Sequence, residues 1–159
     1  MARALVVYYS RSGHTEQMAK VVAETLEAEG LAVDCKPVAE TSLDDLTAAD
    51  AIVAGSPTYY GTMAAELKEL FDRSVARHGQ LDGKVGAAFA SSANLAGGNE
   101  TTVLDIINAM LIHGMICQGD PQGDHYGPVA IGSPDKRAQD ECRRRAQRVA
   151  ALTKRLHGE

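Results

Sequence analysis

The sequence predicts an α/β fold of three layers, in which a doubly wound, five-stranded parallel sheet lies between helices on both faces. Short apolar segments alternate with longer segments that carry apolar residues at helical spacing, which is typical of such sheets. The first segment, "ALVVYY" (4–9), is apolar throughout, as expected of a strand buried on both faces. The length of 159 residues predicts one domain over residues 1–159.

The elements follow one another as alternating strands and helices. Pro37 places the second strand at the sheet edge or ends it there. The apolar stripes of the helices recur every three or four residues, and Gly30 and Gly79 stop the first two. Strands are predicted over 4–9, 31–38, 50–55, 84–92 and from 115, and helices over 14–30, 63–79, 101–114 and 135–156.

Two connections depart from this regular pattern. Residues 38–49 form a short acidic connection, in which we expect a helical turn and no long crossover helix. Residues 118–134 are much longer than the about 2–6 residues usual for such a connection. We expect an ordered excursion there, with a returning strand fragment at 129–131.

The composition excludes several classes of protein. The net charge is −5, and the basic residues near the C-terminus are interleaved at helical spacing, which argues against nucleic-acid binding. No apolar run approaches the ~20 residues that a membrane-spanning helix needs, and no signal peptide is recognisable. Cys35, Cys117 and Cys142 match no metal or disulfide motif, which predicts no metal site and reduced thiols in the cytoplasm.

Three segments that follow strands are rich in polar residues and glycine. They are "SRSGHT" (10–15), "SPTYYGT" (56–62) and "SSANLAGGNE" (91–100). Because the loops after parallel strands emerge on one edge of the sheet, these three should meet there and bind a ligand.

The first of these loops suits a phosphate. Hydroxyl groups accompany the free N–H groups and the positive end of the helix that follows, and Gly13 allows close approach. The alternative is that Ser12 is only an N-cap. Neither a P-loop nor a dinucleotide fingerprint is present. The residues assigned to the phosphate are Ser10, Arg11, Ser12, Gly13, His14 and Thr15.

The other two loops suit a planar ring with a polar edge. Tyr59 and Tyr60 are adjacent aromatic residues in a chain without tryptophan, although one of them is expected to pack as core. The third loop offers backbone donors around Gly97 and a side-chain partner in Asn94; its alternative is a flexible connector.

These motifs resemble the flavodoxin-like superfamily. The segments "YYSRSGHTEQMAK", "GSPTYYGTMAAELKELFD" and "FASSANLAGGNETTVLDIINAMLIHGM" are most similar to the WrbA-type NAD(P)H:quinone oxidoreductases within it. The resemblance implies a sheet of order 2-1-3-4-5 with FMN at its carboxyl edge. The chain departs from that family in its short 38–49 segment, its lack of tryptophan and a third loop one residue longer.

The resemblance also implies the residues around the flavin. His113 in "LIHGM" matches a histidine that lies near the flavin, contributed by a neighbouring subunit of a homo-oligomer, dimer or tetramer; the alternative is a helix-end histidine without that role. Besides residues 10–15, the expected flavin contacts are Pro57, Thr58, Tyr59, Tyr60, Gly61, Ser91, Ser92, Ala93, Asn94, Leu95, Ala96, Gly97, Gly98 and His113.

The charges around the expected flavin favour two-electron chemistry. The second and third loops hold a single acidic residue, Glu100, whereas a one-electron carrier holds its flavin among acids. We therefore expect hydride transfer from NADH or NADPH to FMN and then to a quinone. No residue is an obligate acid or base; His113 and Tyr60 are candidates to protonate or orient the acceptor, and Tyr126 to cover the site. The alternatives are an electron-carrying flavodoxin with a protein partner, and a flavin-free anion-binding module.

Overall fold

The computed structural model of the chain describes residues 1–158 and contains a seven-stranded sheet with five α-helices. The strands are β1 (Arg3–Tyr8), β2 (Ala32–Pro37), β3 (Ala51–Tyr59), β4 (Thr62–Met63), β5 (Val85–Ser92), β6 (Ile116–Cys117) and β7 (Val129–Ile131). The helices are α1 (His14–Ala28), α2 (Leu43–Ala48), α3 (Ala65–Arg73), α4 (Asn99–Ile112) and α5 (Lys136–His157), with 3-10 turns at Val38–Glu40 and Ser74–Arg77.

The strand order confirms the predicted topology. The sheet runs β2-β1-β3-β5-β6 and these neighbours pair in parallel, so the five predicted strands lie in the order 2-1-3-4-5. The fifth position is filled by two short pieces: β6 pairs with the start of β5, and β7 pairs with its end. The returning fragment at 129–131 is thus confirmed, and residues 118–128 interrupt what is in effect one strand.

Side chains of successive strand residues alternate between two buried layers. Val6 packs towards α1 and α5, in a layer that includes Met18, Leu26 and Phe89. Its neighbours Leu5 and Val7 belong to the opposite layer, which contains the apolar faces of α2, α3 and α4. Because the sheet is covered on both sides, its central strands are apolar without alternation, as the sequence predicts. The loops at the carboxyl edge are therefore held by a rigid base.

Two predicted element boundaries are wrong in ways that affect the site. The third strand, predicted over 50–55, continues to Tyr59 and turns back through β4, so residues 56–62 form a hairpin rather than a loop. The helix predicted from residue 101 begins at Asn99. Residues 38–49 contain the short helix α2, which a reciprocal capping box between Ser42 and Asp45 starts, and no long crossover helix, as expected.

The excursion over 118–128 is ordered by arginines of α5. Arg145 is only 4% exposed. Its guanidinium donates to the carbonyl oxygens of Gln118, Asp124 and His125. Arg144 binds both carboxylate oxygens of the buried Asp120, at 2.7 and 2.8 Å. The bonds from Arg145 satisfy backbone carbonyls of the excursion. Together with the Arg144–Asp120 pair, they hold this long segment against α5.

No helix within residues 1–158 is long and apolar enough to cross a membrane.

Replacing Asp120 with asparagine should lower the free energy of unfolding by about 2 kcal/mol at neutral pH, because it removes the charged partner of Arg144. The hydrogen bonds from Arg144 hold the pKa of Asp120 down, to about 2. The carboxylate therefore stabilises the fold above the unfolded pKa of about 3.9, and this contribution disappears as pH falls towards the folded value. Urea unfolding of both proteins at pH 7 and pH 3 should show a difference that shrinks in acid.

The matched control is Asp140→Asn, which removes an exposed carboxylate paired with Lys136 and Arg143 on the same helix. An exposed pair is worth at most about 1 kcal/mol. Equal losses of stability in the two variants would contradict the anchoring role of Asp120.

Candidate functional site

The structure brings the three polar segments together at the carboxyl edge of the sheet. The hydroxyl groups of Thr15 and Ser91 share a hydrogen bond of 2.9 Å, which joins the first loop to the end of β5. The rings of Tyr9 and Tyr59 meet edge to face with centroids 6.2 Å apart, which joins the first loop to the hairpin. The edge thus forms one continuous surface.

In the first loop the helix is capped by Ser10 rather than Ser12. Gly13 occupies the N-cap position with φ 94° and makes no side-chain cap. The Ser10 hydroxyl accepts hydrogen bonds from the N–H groups of Gly13 at 3.1 Å and Glu16 at 3.3 Å. The interpretation of Ser12 as a simple N-cap is therefore wrong, and the exposed Ser12 hydroxyl is available to a ligand.

The start of α1 carries backbone donors without protein partners. Within residues 1–158, the N–H groups of Ser12, His14 and Thr15 have no acceptor in the protein. Hydrogen bonds to a charged group contribute about 1.5–3 kcal/mol each, and the helix dipole adds to them. The Thr15 side chain is buried against Ser91, so Thr15 offers its N–H rather than its hydroxyl. This set of donors fits a dianionic phosphate.

The hairpin presents an aromatic ring from a strained turn. Tyr60 and Gly61 both have positive φ, 49° and 80°, as in the two-residue type I′ turn. A non-glycine residue in this region costs about 1–3 kcal/mol, and the Tyr60 ring is fully exposed. At the base of the hairpin the buried Ser56 hydroxyl accepts from the Ala64 N–H at 2.8 Å. The turn holds an apolar ring in solvent, where a planar ligand can cover it.

The third segment is bonded to the tip of the hairpin. A Cβ on Gly98 would lie 2.8 Å from the Cα of Gly61, so only glycine permits this approach. The Thr101 hydroxyl contacts the carbonyl oxygens of Gly61 at 2.6 Å and Gly98 at 2.9 Å. Thr102 donates to the Gly98 carbonyl oxygen at 2.8 Å and lies 2.9 Å from the Thr58 hydroxyl. The first turn of α4 therefore fixes where Tyr60 stands.

Backbone strain concentrates in these two segments. Among the described residues, Tyr60 and Ala96 are the only non-glycine residues with positive φ, and Ala96 lies at 54°. Such outliers persist where the surrounding structure holds them and cluster at binding sites. Both belong to the predicted site, which supports a ligand at this edge.

The sequence prediction missed three residues that organise this edge. Asn99 donates to the Ser92 hydroxyl at 3.1 Å, while Thr101 and Thr102 bind the hairpin as described above. The available signal was the polar run "NETT" directly after two glycines, which is typical of a helix start. Asn94 was predicted as a side-chain partner, but it is its backbone carbonyl oxygen that accepts from the Ser92 hydroxyl, at 3.0 Å.

Of the two remaining predicted residues, His113 lies away from this edge and Tyr126 lies beside it. His113 follows the last residue of α4, about 20 Å along the helix from Asn99. It is buried and lies 2.6 Å from the Ser74 hydroxyl through Nε2, and burial, with the nearby His78, lowers the pKa of its imidazole. It cannot reach the edge within its own chain, and its role through a neighbouring subunit stays a prediction. Tyr126 lines a cavity of about 100 Å³ with Glu100 beside the third segment.

The comparisons with known proteins identify the family. The family model of the flavodoxin domain matches residues 5–110. The chain belongs to the flavodoxin domain family. The resemblance to flavodoxins that the sequence motifs indicate is thereby confirmed, and the relatives below confirm the resemblance to WrbA-type proteins.

Relatives with two different names are among those that match this chain. An NAD(P)H dehydrogenase (quinone) from Gluconacetobacter diazotrophicus is 36% identical over 98% of this chain and 99% of its own. A flavodoxin from Aquifex aeolicus is 36% identical over 94% of this chain and 86% of its own. A WrbA-like flavodoxin from Agrobacterium tumefaciens superposes with a TM-score of 0.84 at 28% identity, covering 98% of this chain and 99% of its own. Family membership alone does not distinguish a reductase from an electron carrier.

Replacing Tyr60 with asparagine should raise the free energy of unfolding of the ligand-free flavodoxin domain by up to about 1 kcal/mol, because asparagine tolerates positive φ and the exposed ring loses no packing. Thermal and urea unfolding measure the change. Tyr59→Asn is the matched control, since it removes the ring that packs on Tyr9 and should destabilise the protein. A Tyr60→Asn protein less stable than the parent would contradict the strain at this turn.

Proposed function

We propose that this flavodoxin domain binds FMN at the carboxyl edge of its sheet and uses NADH or NADPH to reduce a quinone or a similar small acceptor. The observation that carries the proposal is the pairing of unpartnered N–H groups at the start of α1 with the exposed Tyr60 ring. A phosphate and a planar ring joined by a short linker are what these two features recognise together. The relatives named NAD(P)H dehydrogenase (quinone) support the reaction.

The first loop would hold the phosphate of FMN. The N–H groups of Ser12, His14 and Thr15 and the Ser12 hydroxyl would donate to its oxygens, with Arg11 exposed at the rim. Gly13 leaves room for this approach, since a Cβ there would meet no protein atom within 4 Å. No lysine is needed, because the helix start supplies the positive potential.

The hairpin and the third segment would hold the ring. Tyr60 stands free to stack on one side, and Tyr59 is fixed by its contact with Tyr9. The backbone between Asn94 and Gly98 would face the polar edge of the ring. Bound FMN supplies the two-electron redox chemistry, and the protein contributes position, polarity and exclusion of water.

The charge near the ring favours the reductase over the carrier. Negative charge disfavours an anionic reduced flavin, and the hairpin and the third segment contain one carboxylate, Glu100, which is exposed on the first turn of α4. The electron carrier remains the second candidate because a relative of nearly full coverage bears the name flavodoxin.

We further propose that the chain acts in the cytoplasm as one domain and assembles as a dimer or tetramer of identical subunits. The three free cysteines of the described chain support a reducing compartment. The exposed Leu111 and Ile112 at the end of α4 support assembly, since they lie beside the buried His113.

An anaerobic titration of the FMN-loaded protein with NADH and NADPH tests the reaction. We expect at least one dinucleotide to bleach the flavin absorbance and a quinone to restore it, with many turnovers in the steady state. If neither dinucleotide reduces the flavin, even with a quinone present, the oxidoreductase proposal fails and the carrier takes its place.

Replacing Ser12 with aspartate should weaken FMN binding by about 2–4 kcal/mol, or roughly 30- to 1000-fold, because it sets a carboxylate against the phosphate. The fold should not suffer, since a negative charge near a helix N-terminus is favourable. Fluorescence titration of the FMN-free protein measures the dissociation constant. Ser12→Asn is the neutral control of the same size. Equal FMN affinity in the two variants would contradict the placement of the phosphate at this loop.

A further inference from the structure

A cavity of about 490 Å³ lies beside the first loop and is not used by the proposed flavin. It opens between the ends of β1 and β2 and one face of α3. Its volume falls within the range of small-molecule sites, about 300–1,000 Å³. Aromatic and charged side chains share its lining, namely Tyr8, Tyr9, Glu16, Glu66, Glu69 and Arg73.

This cavity adjoins the candidate flavin site. Its lining includes Ser10, the first residue of the first loop, and Tyr9, the residue before it. The Tyr9 ring contacts Tyr59, whose neighbour Tyr60 carries the exposed ring. A molecule with one end over the flavin ring can therefore extend past the tyrosines into the cavity.

The polar lining suits hydroxyl groups rather than phosphate. Glu16 is paired with Lys20 at 2.7 Å, whereas Glu66 and Glu69 form no ion pair within residues 1–158. Burial raises the pKa of Tyr9 and the nearby Glu66 carboxylate raises it further, as expected when the two groups are neighbours. Carboxylates accept hydrogen bonds from ribose hydroxyls and repel an additional phosphate.

The three charged residues of α3 that line the cavity are arranged in order along one face. Glu66, Glu69 and Arg73 are spaced three and four residues apart, so they stand one turn above another. Glu66 is the one next to Tyr9. A ligand that enters from the flavin therefore meets both carboxylates before the guanidinium.

We propose that this cavity binds the adenosine end of the nicotinamide dinucleotide donor, and that Glu66 and Glu69 select NADH by accepting from the ribose 2′-hydroxyl and repelling the 2′-phosphate of NADPH. The aromatic rings of Tyr8 and Tyr9 offer apolar surface to the base. The inference rests on the proposed function, because it assumes a dinucleotide donor. It names the donor that the reductase uses.

Equilibrium binding of non-redox fragments tests the cavity without turnover. ADP-ribose and 2′-phospho-ADP-ribose are titrated calorimetrically into the FMN-loaded protein. We expect ADP-ribose to bind at least tenfold more tightly. In the double variant Glu66→Gln with Glu69→Gln this ratio should fall at least fivefold, because the amides no longer repel the phosphate.

The matched control is Glu24→Gln with Glu27→Gln, which removes two exposed carboxylates at the same spacing from α1, outside the cavity. The control should keep the parental ratio. Equal binding of the two fragments, tighter binding of the 2′-phosphorylated one, or a ratio unchanged in the α3 variant would each overturn the proposal.

Flavin reduction by NADH and NADPH separates this inference from the function on which it rests. Faster reduction by NADH, with the preference reduced in the α3 variant, supports both. Reduction that proceeds equally with both donors overturns the adenosine site alone. Selective binding of ADP-ribose without reduction by either donor overturns the reductase and leaves the cavity as a nucleotide site.

Discussion

The site at the carboxyl edge depends on the missing side chain of Gly98. Because a Cβ there would press on the Cα of Gly61 at 2.8 Å, the tip of the hairpin can rest on α4 only if residue 98 is glycine. The hydroxyls of Thr101 and Thr102 then bond across that contact. Val103, in the next turn, packs α4 onto the sheet. The core therefore holds α4, and the first turn of α4 holds the tip of the hairpin that carries Tyr60. The Tyr60 ring is positioned without packing on other residues.

This arrangement separates the energetics of the fold from those of the site. The sheet is covered on both faces and supplies the stability, while the edge holds unpartnered N–H groups, an exposed aromatic ring and two strained residues. The positive φ of Tyr60 and Ala96 costs free energy in the fold. The unpartnered N–H groups and the exposed ring would gain contacts if the proposed phosphate and planar ring were bound. The hydrogen bond between Thr15 and Ser91 fixes the first loop relative to the end of β5. A ligand would therefore meet a preformed surface rather than ordering one.

The sequence was sufficient for the sheet but not for the contacts across its edge. Buried strands are apolar runs and helices carry a periodic stripe, so both are visible locally. The hairpin was missed because tyrosine is not a usual residue for a turn with positive φ, and because the buried Ser56 looks polar in the sequence although it bonds to Ala64. The contacts of Thr101 and Thr102 join residues about 40 positions apart, and no local pattern encodes such a pair. The bonds of Arg145 to the excursion are equally invisible, since its sequence context is that of a solvated basic helix.

The protein is acidic overall, with a net charge of −5, whereas the hairpin and the third segment of the proposed flavin site carry a single carboxylate, Glu100. Two further carboxylates, Glu66 and Glu69, belong to α3 and line the cavity beside the first loop. Glu66 lies near Tyr9, whose ring contacts Tyr59. Electrostatic interactions weaken with distance and with screening by solvent, so these exposed carboxylates would influence a reduced flavin at the Tyr60 face less than carboxylates in direct contact with it. Glu66 and Glu69 would interact directly with any group that enters the cavity that they line. Under the proposed function, this edge of the sheet would keep its flavin site less acidic than the neighbouring cavity, which would present an acidic surface to the rest of the donor.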